Sequence, residues 1–244
     1  MKKMLVLLFF VSFWLPVYAN QIEGPWIGEN GDAWLFYENG TVVRFRIIDL
    51  LDVTFSAEQA TERRMQGWQP MMGLEEYRGT YDYNLERINI HFNRSYFNEF
   101  RGGGMTSRLD QIVTYEYIIN NDELEMNEIS TVNINHSTKK MFTRAFYTSI
   151  FNGEWFNDNI LRLHFNDNHL LMYSELGNLI YNGLYFMNQK YICLYYPMSS
   201  QIPGGMISTI DNFSVFEFKY TDGILFLRSL RNNNEVFEEY IKRH

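Results

Sequence analysis

A single cysteine, Cys193, is all that the 244 residues contain. That excludes an intramolecular disulfide, and its position deep in the chain excludes lipid attachment at a processed N-terminal cysteine. Basic residues are nowhere clustered, and the formal net charge is −8. A nucleic-acid partner or an anionic membrane surface is therefore disfavoured. Long apolar runs are also missing. The longest, Met4 to Leu15, falls short of the ~20 residues that span a bilayer. It follows Lys2 and Lys3 and precedes Val17-Tyr18-Ala19, the order of a bacterial-type secretory signal with a small-residue cleavage site. Residues 1–19 are expected to be a signal peptide, with no transmembrane segment after cleavage. The destination is then the periplasm, the cell surface or the medium. Of 21 basic residues two leave with the leader, so 19 face 29 acidic ones, a net charge of −10. Exported domains of this size fold on apolar burial alone.

Proline is scarce, at five residues, whereas phenylalanine and tyrosine number 20 and 17. Short aromatic and β-branched runs separated by Asn, Asp and Gly clusters predict antiparallel strands. The sequons at Asn39, Asn93, Asn135 and Asn212 are read as by-products of an Asn-rich chain with a bacterial-looking leader.

The chain also repeats itself. Trp26 and Phe36 match Trp155 and Phe165 at an offset of 129. Gly79-Thr80-Tyr81 matches Gly183-Leu184-Tyr185 at 104, and Gly104-Met105 through Glu116 match Gly205-Met206 through Glu217 at 101. The first drop implies a 25-residue insertion in the first copy, over about Asp49 to Leu74. A period near 100 residues makes each copy a small domain rather than a solenoid rung. In the first copy strands are predicted at Ala33 to Tyr37, Thr41 to Ile48, Tyr77 to Tyr83, Arg87 to Asn93, Thr114 to Ile119, Glu123 to Asn127 and near Lys140 to Tyr147. The Trp26 segment makes eight. Turns fall at Gly40 and Asn121 in the first copy, and at Asp167, Asn188 and Gly223 in the second. The expected fold is all-β: two tandem antiparallel up-and-down barrels of about eight short strands each, with one short helix in the insertion of the first. Barrel 1 covers 20–148, with its insertion at 49–74, and barrel 2 covers 149–244.

Each copy reads Gly-x-Trp, Phe, Gly-x-Tyr, then an aromatic-Glu-aromatic strand. In that order it resembles the small bacterial lipocalin-like (calycin-type) domains, whose N-terminal Gly-x-Trp closes one barrel end. The second copy departs from the pattern with Asn168 where the first has the turn glycine Gly40. The resemblance implies a binding or interaction module, for a small apolar ligand or an envelope protein partner, rather than a particular reaction.

Three places are candidates for function. Large inward residues (Trp26, Phe36, Tyr81 and Tyr115; Trp155, Tyr185 and Phe216) and Trp68 of the insertion are the candidate ligand-binding set. For most of them a packed core is the preferred reading, because small barrels are filled by their own side chains. In the insertion, Ser56 to Gln59 reads as a capping box opening a helix, with Trp68, Met71 and Met72 after it. A lid over a barrel mouth, a partner-docking element and a plugged loop remain open. Third, residues of the non-core phase change character between copies. Thr80, Asp82, Arg87, Asn89 and His91 become Leu184, Phe186, Tyr191, Cys193 and Tyr195. Period two puts these five on one side of two paired strands. An apolar outer patch is rarely left in water, so it is expected to pack on repeat one or on an external partner.

No catalytic, metal or cofactor set is recognised. His164 and His169 flank a turn without further ligands, and the glycine runs lack a following Lys-Ser/Thr. Cys193 is expected to be a buried apolar side chain. Asp110 and Asp211 are expected to turn the chain into the next strand, and Glu116 and Glu217 to face solvent. A non-enzymatic envelope binding module is the expected function. A purely structural envelope protein with filled barrels, and a hydrolase acting in the cleft between repeats, are the alternatives.

Overall fold

The computed structural model describes residues 22–49, 51–52, 55–68, 72–99, 103–129, 139–146, 148–158, 160–195, 213–230 and 236–243. Residues 1–19, where a signal peptide is expected, Met71, Asp211, the Gly204-Gly205 run and the sequons at Asn135 and Asn212 lie outside the described residues.

Two closed eight-stranded antiparallel barrels follow one another. The first comprises β1 (Gly24–Gly28), β2 (Ala33–Phe36), β3 (Thr41–Asp49), β4 (Met72–Tyr83), β5 (Arg87–Glu99), β6 (Gly103–Asn120), β7 (Glu123–Glu128) and β8 (Lys139–Arg144). The second comprises β9 (Gly153–Asn157), β10 (Ile160–Asn166), β11 (His169–Tyr173), β12 (Leu179–Met187), β13 (Tyr191–Tyr195), β14 (Phe213–Thr221), β15 (Ile224–Ser229) and β16 (Glu238–Lys242). Within each barrel every strand pairs with its neighbour in sequence, and β1 with β8 and β9 with β16 close the circles. No helix among the described residues is long and apolar enough to cross a membrane.

The Gly-x-Trp segments have a shared physical cause. Gly24 and Gly153 take φ of +105° and +123°, which side-chain-bearing residues rarely adopt. The bend returns the chain so that each indole N–H donates to the carbonyl four residues earlier. Trp26 bonds Ile22 and Trp155 bonds Phe151, both at 2.7 Å. The guanidinium of Arg144 covers Trp26 at 4.2 Å, and the ammonium of Lys242 takes the same place over Trp155 at 5.8 Å. The turn of the second repeat forms without a glycine, because Asp167 rather than Asn168 adopts the positive φ there. Aspartate is among the few residues that tolerate it.

Strands β4, β5 and β6 are longer than the sequence pattern indicates. The ladder continues from Ile47↔Leu74 to Asp49↔Met72, and from Arg94↔Arg108 to Glu99↔Gly103. Charged residues in these extensions carry little strand signal, because their alternation is polar on both faces. Asp110 therefore does not turn the chain: it lies inside β6, where its carboxylate meets His91 Nε2 at 2.7 Å. Glu116 faces solvent, whereas Glu217 is partly covered and bound by Arg228.

Helix α1 (Ala57–Met65) joins β3 to β4 and opens with the expected capping box, Ser56 accepting from Gln59 N–H and the Gln59 side chain accepting from Ser56 N–H. Arg64 ties it to the end of β3 through Asp49 at 2.7 Å and Asp52 at 2.8 Å. Exposed pairs of this kind contribute about 0–1 kcal/mol each, so they orient the helix more than they stabilise it.

The barrels are joined by a buried apolar seam. Ile27, Ala33, Leu35, Val43, Phe45 and Leu74 of barrel 1, with Ala145, form one cluster with Phe186, Tyr191, Cys193, Tyr195, Phe213 and Val215 of barrel 2. At its centre Phe45 and Phe213 stack with centroids 4.1 Å apart and planes within 4°, and Tyr195 leans on Phe45 at 5.2 Å. The connecting segment is pinned by paired backbone hydrogen bonds between Phe146 and Met187, at 2.8 and 3.0 Å. Cys193 is wholly buried in this seam, and burial pushes its thiol well above the ordinary value. Since the thiolate is the reactive form, the native chain is expected to resist dithionitrobenzoate and to react fully once denatured. Prompt labelling of the native chain would show that the seam opens.

Candidate functional site

Both barrel interiors are filled by rings in contact. In barrel 1, Trp34 stacks on Phe36 at 5.6 Å and meets Tyr115 edge-on at 5.9 Å. In barrel 2, Phe165 meets Tyr185 at 5.0 Å and Trp155 at 6.5 Å. Of the candidate ligand-binding residues, Trp26, Phe36, Tyr115, Trp155 and Tyr185 are buried in these cores, while Tyr81 and Phe216 are partly buried against them. Trp68 is separate. It is 47% exposed after α1, with the Arg63 guanidinium 4.3 Å above its ring and Phe55 on that cation's other contact at 3.9 Å. The five seam candidates are together on the barrel 2 side. Four of them belong to the seam cluster, and Leu184 is half-buried on the same strand face.

Barrel 1 also contains what the sequence did not reveal, a charged inner layer. On β3, Arg44 and Arg46 share the phase of the core residue Val42 and so point inward. Across the ladder Arg46 pairs with Glu75 at 3.3 Å. Lys140 of β8 lies 3.8 Å from Asp32, which precedes β2. Arg44 is different. It is only 9% exposed, lies 4.9 Å over the Trp34 ring, and its Nε–H has no hydrogen-bond partner among the described residues. The indole N–H of Trp34 is likewise buried and unpartnered. Two neighbouring donors are thus left without acceptors, at a cost of about 1–3 kcal/mol each.

The electrostatics of the layer follow from burial. Burial pushes the Asp32 carboxyl up against the pull of Arg44 and Lys140. Burial also pushes the Lys140 ammonium down, with Arg44 adding to the effect. The Tyr115 phenol is raised to about 12 by burial, so it stays protonated and able to donate. Because α1 connects the ends of β3 and β4 nearest Arg46 and Glu75, the insertion and Trp68 frame this end of the barrel.

Histidine offers less. His164 stands opposite Leu171 and His169 opposite Asn166, so the two are not cross-strand partners. No group of three potential metal ligands occurs among the described residues. At the seam, the buried carboxylate of Glu76 is held by Arg78. A two-carboxylate hydrolase needs a second acid beside it, and its neighbour Glu75 points the other way, into barrel 1. Among known proteins, no family model, curated sequence or solved structure matches this chain.

Proposed function

We propose that the protein is an exported, lipocalin-like binding module of the bacterial envelope, without enzymatic activity, whose ligand is held at the charged end of barrel 1. The observation that carries this reading is a pair of buried donors, Arg44 Nε–H and Trp34 Nε1–H, that have no partner among the described residues. Proteins rarely leave such groups unsatisfied. A small, mainly apolar ligand bearing one acceptor group satisfies both while its body rests on the aromatic wall. Closed barrels suit such a role, and the leader-like Lys2 to Ala19 segment supports export. The framing by α1 and Trp68 supports a lid at this mouth.

Thermal unfolding of the processed chain with decanoate and with decanol tests the reading. Decanoate is expected to stabilise the wild type, by about 2.7 kcal/mol at a hundredfold excess over Kd. Arg44→Met is expected to abolish that gain. Absence of stabilisation by either probe, together with no small molecule in the native mass spectrum of the exported protein, would leave the structural role instead. The ring contacts that fill both interiors favour that second reading.

A further inference from the structure

A groove of about 420 Å³ lies on the outside of barrel 1 where barrel 2 meets it. Its lining includes Tyr37, Arg78, Thr80, Asn93 and Arg94 of barrel 1 and Tyr195 of barrel 2. We propose that this groove binds an oxyanion, the phosphate or carboxylate group of a small molecule.

The charge pattern carries the inference. Arg78 and Arg94 face each other directly in the β4–β5 register. Like charges in directly opposed positions destabilise a sheet. Glu76 compensates one of them by accepting from Arg78 Nε–H. The second is uncompensated: among the described residues Arg94 has no ion-pair partner, and Arg78 Nη2 is buried with no hydrogen bond. Of the two facing guanidinium groups only that of Arg78 has a carboxylate partner, and its Nη2 edge is already desolvated. A planar or tetrahedral oxyanion offers several acceptor oxygens, the geometry that guanidinium forks hold best.

The rest of the lining agrees. Burial pushes the Tyr37 phenol up, with Tyr195 beside it as a further cause, and burial likewise raises Tyr195. Both hydroxyls stay protonated, and Tyr37 is hydrogen-bonded to Tyr195, so the pair leaves one O–H donor for the groove. Its volume lies within the ~300–1,000 Å³ of small-molecule sites. At the same offset of 104, Glu76 and Arg78 correspond to Ile180 and Asn182. The charged device therefore belongs to repeat one alone and is not repeated scaffold. It exists only with the barrels docked, because Tyr195 supplies one wall. The groove lies across the β3–β4 wall from Arg44 and does not depend on the function proposed above.

Isothermal titration of the full processed chain with inorganic phosphate and with citrate tests the proposal. Binding of at least one anion is expected, weakening as salt is raised. Arg94→Gln is expected to weaken it by roughly tenfold or more, and Arg94→Lys by less. Arg94 is exposed, so these variants are expected to keep the wild-type circular dichroism and Tm. Vesicles containing phosphatidylglycerol, compared with pure phosphatidylcholine, separate the sources. Arg94-dependent binding to the anionic vesicles alone assigns the group to a lipid headgroup, and Arg94-dependent binding of the free anions assigns it to a soluble ligand. Binding of neither anion nor anionic vesicles, or binding that Arg94→Gln leaves intact, overturns the proposal.

Discussion

Phe45→Ala is expected to remove about 3–5 kcal/mol of stability and to split one unfolding transition into two. Phe45 is fully buried, yet it belongs to neither barrel's interior. Its ring stacks on Phe213 and packs beside Tyr195, both from the other repeat. The substitution opens a cavity at the centre of the seam, where both barrels must relax to fill it, while each barrel's own ladder and core remain. Differential scanning calorimetry reads the outcome. Phe36→Ala removes an equally buried ring from inside barrel 1. It is expected to lower the stability of that barrel without uncoupling the two. If Phe45→Ala melts in one transition with less than about 1 kcal/mol lost, the Phe45–Phe213 stack is not what couples the barrels.

The seam was half legible in the sequence. On repeat two it emerges where Thr80, Asp82, Arg87, Asn89 and His91 give way to Leu184, Phe186, Tyr191, Cys193 and Tyr195. The complementary face on repeat one escaped, although the same alignment holds a clue: Leu35 stands where repeat two has His164. The physical obstacle is burial on both faces. All four residues of β2 and all five of β13 are buried, so their sequences read as continuous apolar runs with no alternation to assign a side. The same obstacle hid the charged layer. On β3, Val42 faces the barrel core while Val43 and Phe45 face the seam. Periodicity alone could not say whether Arg44 pointed into barrel 1 or into water. The strand order, the hairpin turns and the capped helix depended on local chemistry and were readable. The groove depended on docking two barrels, and a single sequence holds no direct trace of that contact.

Gly79→Ala is the second large effect, expected to cost about 3 kcal/mol from a single added methyl group. Space decides this case, not backbone conformation. A Cβ on Gly79 would stand 2.2 Å from the His91 carbonyl oxygen and 2.9 Å from Phe92 Cα, all of it backbone. No side chain can swing away to make room, so β4 and β5 must part where their register already shifts beside Arg78. The second repeat uses the same device, since a Cβ on Gly183 would meet the Tyr195 carbonyl oxygen at 2.7 Å and the Tyr181 hydroxyl at 2.5 Å. This close approach explains why glycine precedes the recurring tyrosine by two residues in both copies. Leu85→Ala gives the contrast, because Leu85 is 86% exposed and its truncation is expected to change stability by no more than about 0.5 kcal/mol. Urea unfolding of the two variants measures the ordering. Gly79→Ala also parts the strands that carry Arg78 and Arg94, so it is expected to weaken anion binding in the groove as well as stability. A variant that lost neither would show that the two strands have room to spare, and the recurrence of glycine would then need another cause.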